Sequence, residues 1–288
     1  MYLLTLPFLS PVAPHFISTY LQVNAGNKIT NVLYDNATAL NIAGAVTPTF
    51  FDLGFNKGPD AAPAASQYYW FSKYNNSKDT PGGLYYGTYD GSSFSTEGEI
   101  TSTYLAGLNV NDPVTNYTFE GFFGLDFHPN IASLATNQQF LYGTAPKGLW
   151  RVAPTLVGGG YNIQASNIEF LCSIASDYPG GLGFIPSGTN INSLLIPDYD
   201  DNAVKLLKLD PSTGYCIDKS SLSPVPEITD PILSNFVNNT EGAWGFIFDP
   251  ETNDFFVSSW GRRGDFTTLA ASLRAKTSKF SSPTSTPK

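Results

Sequence analysis

The chain has 288 residues, enough for one large domain or two small ones and for a substantial core. Its formal charge of −9 excludes a nucleic-acid backbone or an anionic membrane surface as the main partner, because both need concentrated Lys and Arg. Aromatic residues make up 14%, and 26 Gly and 21 Pro stand beside only 14% charged residues, a balance that favours turn-rich β structure over amphipathic helices.

The chain opens MYLLTLPFLSPVAPHF, which is apolar but has no basic leader region and is interrupted by Pro7. It is too short to span a bilayer, so residues 1–15 read as a leader or the remnant of an export signal. No later segment approaches eighteen apolar residues, and no membrane span is expected. Phe16 to Val23 and Lys28 to Tyr34 read as strands, followed by Asp52-Leu-Gly-Phe-Asn56, Tyr68-Tyr-Trp-Phe-Ser72 and Gly83 to Tyr89. Alternation puts the aromatics of the last two in the core, against a competing reading as a carbohydrate-stacking face.

From here a phrase repeats. Gly124-Leu-Asp-Phe-His-Pro129, Gly181-Leu-Gly-Phe-Ile-Pro186 and Gly245-Phe-Ile-Phe-Asp-Pro250 all fit G-h-x-F-x-P, where h is apolar, at spacings of 57 and 64 residues. Asp52 to Asn56 is a fainter copy without the proline. Each copy is followed by a short strand: Phe140 to Thr144, Ser193 to Pro197, Phe255 to Ser259 and, for the faint copy, Tyr68 to Ser72. A further strand follows at Gly148 to Val152, Ala203 to Leu209 and Gly83 to Tyr89. Such a meander cannot bury both of its faces alone, whereas stacking several around an axis does, so the expected fold is an all-β propeller of about four to six blades.

The ring does not close by pattern. After Phe255 to Trp260 the sequence runs Gly-Arg-Arg-Gly-Asp-Phe where another strand is due. Either the N-terminal strands complete the last blade or the chain is a fragment that ends near Gly261. The propeller is assigned to residues 16–261. Residues 262–288 read as a disordered tail in which six basic residues face one acid, Asp265.

The phrases GLDFHPN and GFIFDPETN, with KLDPSTG at 208–214, resemble the SMP-30/gluconolactonase and NHL/YVTN-like propellers over residues 50 to 261. In the lactonases of that group, a Glu-Gly that leads into a first strand gives its carboxylate to a divalent metal. The resemblance therefore implies that Glu120 and Glu241, each followed by glycine, hold calcium at one mouth of the channel. The third copy opens Tyr178-Pro-Gly-Gly181, so the acid reads as an addition to the blade motif. Quinone-dependent sugar dehydrogenases of the same broad group use a channel histidine as base. His128 instead aligns with Ile185 and Asp249, in the turn leaving the strand.

Asp198-Tyr-Asp200-Asp-Asn202 has the rhythm of a calcium loop but lacks the glycine and the final glutamate of an EF-hand, and it aligns with a hairpin turn. Cys172 and Cys216 read as one disulfide in an oxidising compartment or as two small buried hydrophobes in a reducing one. Asn36, Asn75, Asn116 and Asn238 head N-x-S/T sequons. With two His and two Cys there is little material for a nucleophilic triad. The expectation is an exported, non-catalytic propeller that binds a protein or carbohydrate partner or joins an assembly. The alternative is a calcium-dependent, lactonase-like hydrolase acting on a small sugar-derived substrate.

Overall fold

A computed structural model describes residues 2–10, 13–23, 29–35, 50–56, 68–75, 80–89, 94–132, 139–157, 160–185, 190–238, 243–249, 254–259 and 278–281. Among these residues the chain forms five antiparallel meanders and one small hairpin. Sheet 1 is β1 (Tyr2–Ser10), β2 (Ala13–Val23) and β3 (Ile29–Asp35). Sheet 2 is β4 (Phe50–Asn56), β5 (Tyr68–Asn75), β6 (Thr80–Tyr89) and β7 (Phe94–Thr101), followed by one short helix, α1 (Ser102–Gly107). Sheet 3 runs β8 (Gly124–Ala132), β9 (Gln139–Ala145), β10 (Gly148–Val152) and then β13 (Ile168–Ser173). The hairpin β11 (Thr155–Val157) and β12 (Gly160–Asn162) interrupts it. Sheet 4 is β14 (Gly183–Phe184), β15 (Leu194–Asp198), β16 (Ala203–Leu207) and β17 (Leu233–Asn238). Sheet 5 is β18 (Ala243–Asp249), β19 (Asp254–Ser259) and β20 (Ser278–Ser281).

The first strands sit side by side: β4 beside β8, β8 beside β14, β14 beside β18, and β18 beside β1, while β2 meets β4. Following these contacts leads from each sheet to the next and from the fifth back to the first. This is an all-β, propeller-like ring of five sheets among the described residues, and each G-h-x-F-x-P copy falls at a first strand. The last sheet closes differently from both sequence readings. Ser278–Ser281, inside the stretch read as a disordered tail, pairs with β19, and Tyr2–Ser10, inside the stretch read as a leader, joins a sheet of its own.

Strand alternation explains how both faces of a sheet are used. In β9, Phe140 and Tyr142 join an apolar cluster with Leu149, Phe184, Leu194 and Ile196 between sheets 3 and 4. Leu141, one residue out of phase, joins Trp70, Leu84, Leu125, Phe127 and Trp150 between sheets 2 and 3. The aromatics of sheet 2 whose side chains are described, Trp70, Phe71, Tyr85 and Tyr86, are core, as expected: Trp70 pairs across from Tyr86, and Tyr85 is 1% exposed. The motif phenylalanines Phe127 and Phe184 each fill one of these seams. At 25 cal/mol per Å², burying each such ring stabilises the fold by about 2 to 3 kcal/mol relative to leaving it in water.

Between β16 and β17 the chain makes an excursion over residues 208–232. It consists of two tight turns, with Leu209 bridging Cys216 and Ile217 bridging Pro224. Its Ile228 then pairs in parallel with Cys172 on β13, exchanging Ser173 N–H to Ile228 C=O (2.9 Å) and Ile228 N–H to Leu171 C=O (3.1 Å). An open sheet edge would invite pairing with another chain. Here the loop of sheet 4 covers the outer edge of sheet 3.

Candidate functional site

Two glycines meet at the axis. A β-carbon on Gly124 would lie 2.3 Å from Gly181 Cα and 2.4 Å from Gly180 O, so consecutive copies of the motif touch backbone to backbone. The residue facing Gly124 on the second strand is Thr144. Its hydroxyl accepts the Gly124 N–H (3.1 Å) and donates to Gly180 C=O (2.9 Å) in the next sheet. Ser72 repeats the second bond one sheet earlier, donating to Phe123 C=O at 2.9 Å. Phe123 and Gly180 each stand immediately before the motif glycine. At the next equivalent place Pro197 offers only its carbonyl, which accepts Gly180 N–H at 2.7 Å. The motif glycine is thus required by close approach of inner strands, tied by a hydroxyl from the strand behind.

Glu120 is partly buried, and its Oε2 faces the Thr80 hydroxyl at 3.5 Å. The expectation that the third copy lacks an acid needs correcting. Asp177 stands four residues before Gly181, as Glu120 does before Gly124 and Glu241 before Gly245. Asp177 meets Lys147 at 3.4 Å. Thr80 begins β6 and Lys147 lies in the turn before β10, so each leading acid reaches the same place, the start of the third strand in the preceding sheet. Burial first, and then the Glu120 charge, pushes the nearby Tyr117 phenol upward. Glu241 lies outside the described residues. Calcium needs six to eight oxygens from several side chains and carbonyls. Among the described residues no three His, Cys, Asp or Glu side chains converge. Glu120 by itself does not fit such an ion.

The stretch from Asp198 to Asn202 is the hairpin joining β15 to β16, and its cationic place is filled by a lysine. Asp198 Oδ1 accepts from the Ser176 hydroxyl (2.9 Å) and from the N–H groups of Asp200 and Asp201. Asp198 Oδ2 faces Lys205 Nζ at 2.5 Å, and the same ammonium meets Asp201 at 2.6 Å. Asp200 turns away and accepts the N–H groups of Asp177 and Tyr178. Asn202, with φ of 51°, closes the turn.

His128 is not in an outgoing turn, because β8 continues through Pro129 to Ala132. The imidazole is fully buried, with its ring 4.7 Å from that of Phe184 and 5.4 Å from that of Tyr142. Burial, and then the Arg151 charge, pushes it down to about 4, so it stays neutral. Two residues earlier on the same face lies Asp126, which sequence reasoning passed over. Its carboxylate accepts N–H from Phe127 (2.8 Å) and from Phe184 of the adjacent first strand. Burial outweighs both bonds and raises it to about 7.

These two groups give opposite pH dependences. Asp126 is raised above its unfolded value, so its contribution to stability is full below pH ~4 and is lost as pH rises through about 7. His128 is depressed, so its contribution is full above pH ~6.5 and is lost as pH falls through about 4. Asp126→Asn keeps an acceptor for both N–H groups. It is expected to raise the unfolding free energy at pH 8 by about 2 kcal/mol and to leave a profile that climbs from pH 4 to 6.5. Urea unfolding from pH 4 to pH 8 checks it. An unchanged or weakened variant at pH 8 would show that Asp126 carries no such penalty.

A second cluster missed in the sequence surrounds Arg151 of β10, which is 4% exposed. Its guanidinium donates from Nε (3.0 Å) and Nη2 (2.7 Å) to Glu169 Oε2, and from Nη1 to Tyr142 OH (3.2 Å) and Thr213 C=O (2.9 Å). It is stacked between the rings of Phe140 (4.1 Å) and Tyr215 (4.3 Å). Tyr142 OH in turn donates to Gly214 C=O at 2.9 Å. The signal was available, since a single Arg within Gly-Leu-Trp-Arg-Val needs a buried partner. Next to this cluster the structure bonds Cys172 to Cys216, with Cα atoms 6.3 Å apart. Of the sequons, Asn116 lies in an exposed turn, Asn75 and Asn238 lie in strands, and Asn36 is outside the described residues.

No helix among the described residues is long and apolar enough to cross a membrane. No protein-family model matches this chain, and no curated protein does. Among solved structures it is similar to a glucose dehydrogenase at 11% identity and a TM-score of 0.40, covering 90% of this chain and 75% of that one. It is similar to a putative 6-phosphogluconolactonase from Bacteroides uniformis at 10% identity and a TM-score of 0.37, covering 90% of this chain and 60% of that one. A third is the soluble aldose sugar dehydrogenase from Escherichia coli, at 10% identity and a TM-score of 0.37, covering 86% of this chain and 90% of that one. These are distant resemblances, and the propeller-like fold of this chain rests on its own five sheets.

Proposed function

We propose that the chain is an exported propeller that works by binding or assembly and does not catalyse a reaction. The observation that carries this reading is the employment of the leading acids. Glu120 and Asp177 each reach to the start of the preceding sheet's third strand, where one meets a hydroxyl and the other an ammonium. An acid that stands at the same offset before two first strands and reaches the same neighbouring strand start supports a role in ring assembly. The imidazole of His128 is packed between rings, and the Asp198 carboxylate is neutralised by Lys205, so neither is presented to a substrate. The partner is a protein or a carbohydrate.

The test separates this from the calcium-dependent, lactonase-like reading, in which Glu120 and Glu241 hold the ion and it polarises a sugar lactone. Thermal unfolding is measured with millimolar calcium and with chelator, in the wild type and in a Glu120→Ala/Glu241→Ala variant. The binding reading expects the same midpoint with and without calcium in both proteins. A calcium-dependent rise that disappears in the double variant, together with hydrolysis of an aldonolactone, would replace it with the hydrolase.

A further inference from the structure

The turn at Asp112 to Asn116 presents a side chain in a way that two other turns explain. Asn116 N–H donates to Asp112 C=O at 2.9 Å, Asp112 Oδ1 accepts the Val114 N–H at 2.6 Å, and Asn116 takes a left-handed φ of 60°. The same arrangement recurs at Asp210 to Gly214 and at Asp218 to Leu222. Gly214 N–H donates to Asp210 C=O (2.8 Å) and Leu222 N–H to Asp218 C=O (2.9 Å), with φ of 71° and 55°. The fifth residue is therefore left-handed in all three, and Leu222 shows where its side chain goes, being 71% exposed. Asn116 occupies that outward position and is itself exposed.

We infer that Asn116 is a glycosylation acceptor, taking an N-linked oligosaccharide on Nδ2. Asn116-Tyr117-Thr118 supplies the sequon, and the turn holds its asparagine clear of the ladder. The other described sequons are placed differently, because Asn75 pairs with Thr80 at the end of β5 and Asn238 pairs with Ala203 at the end of β17. The Cys172–Cys216 bond independently belongs to an oxidising compartment, the kind in which secreted chains receive such glycans. The donor is a lipid pyrophosphate-linked oligosaccharide. The sugar C1–O bond to pyrophosphate breaks, a C1–N bond to Nδ2 forms, one amide proton leaves, and the lipid pyrophosphate is released.

The inference rests on the export reading, and the test keeps the two apart. The chain is isolated from its natural source and treated with an amidase that converts glycosylated Asn to Asp, and peptide masses are read at Asn116. Conversion at Asn116 is the expected result. A secreted, disulfide-bonded chain with unmodified Asn116 overturns the inference and leaves export standing; a chain retained in the cytosol with free thiols overturns both. Variants made in a eukaryotic secretory host guard against a folding artefact. Asn116→Gly keeps the left-handed turn, as Gly214 does, and is expected to lose the mass of one glycan with an unchanged unfolding midpoint. Thr118→Ser is expected to keep the glycan. A glycan mass unaltered by Asn116→Gly overturns the inference.

Discussion

Arg151→Ala is expected to lower the unfolding free energy by about 3 to 4 kcal/mol, read from the midpoint of chemical denaturation at constant slope. The guanidinium is stacked between Phe140 and Tyr215 and satisfies Tyr142 OH, the Thr213 carbonyl and Glu169. A desolvated cation–π contact contributes about 1 to 2 kcal/mol, and each charged hydrogen bond about 1.5 to 3. These terms overlap, and the Glu169 carboxylate is 39% exposed, so it regains water when its partner is lost. That keeps the total below their sum. Arg151→Lys retains the charge but loses the planar fork, and a loss of about 1 to 2 kcal/mol is expected. A loss below about 1 kcal/mol in the alanine variant would mean that the cluster is not what joins the excursion to sheet 3.

Removing the bond between Cys172 and Cys216 is the other large effect. The bridge closes a loop with a sequence separation of 44, for which the chain-entropy estimate is about 4 kcal/mol. The variant Cys172→Ala/Cys216→Ala is expected to unfold about 2 to 4 kcal/mol more easily than the oxidised protein. Both sulfurs are fully buried, so the two alanines also leave small voids. Hydrogen exchange gives the local signature. The Ser173 and Ile228 amides, which pair the excursion to β13, should lose protection before the amides of β9 and β10. Equal stability of the bridged and unbridged proteins would sink the proposed role of the bond.

Much of the fold was legible because its constraint is local and repeated. A glycine that must touch the next glycine, a phenylalanine in each seam and an alternating second strand leave marks at fixed offsets, and four of the five first strands were found that way. The outer strands were harder. β7 reads Phe-Ser-Thr-Glu-Gly-Glu-Ile-Thr, with Glu99 and Thr101 exposed on either side of buried Ile100, and carries no unbroken apolar pattern. β1 contains a proline, which a strand admits most easily at an edge, and the apolar run around it resembles an export signal. The site was less legible than the fold. Asp177 was hidden because Tyr-Pro-Gly-Gly follows it where Gly follows Glu120, so only its distance to the motif glycine is shared. Asp126 was hidden because its neighbour on the adjacent first strand, Phe184, is 58 residues away and contributes a backbone N–H that no side-chain pattern announces.

The excursion of residues 208–232 has a consequence for how the ring comes apart. It belongs by sequence to sheet 4 but ties the Ile228 backbone, Cys216 and the Thr213 and Gly214 carbonyls to sheet 3. Neither sheet can open without disturbing the other, so the two form one cooperative unit and the ring is not a chain of equal links. In a repeat protein, a clasp that bonds one sheet covalently to the next sets the order of events. Partial unfolding would start elsewhere in the ring, and sheets 3 and 4 would be lost last and together.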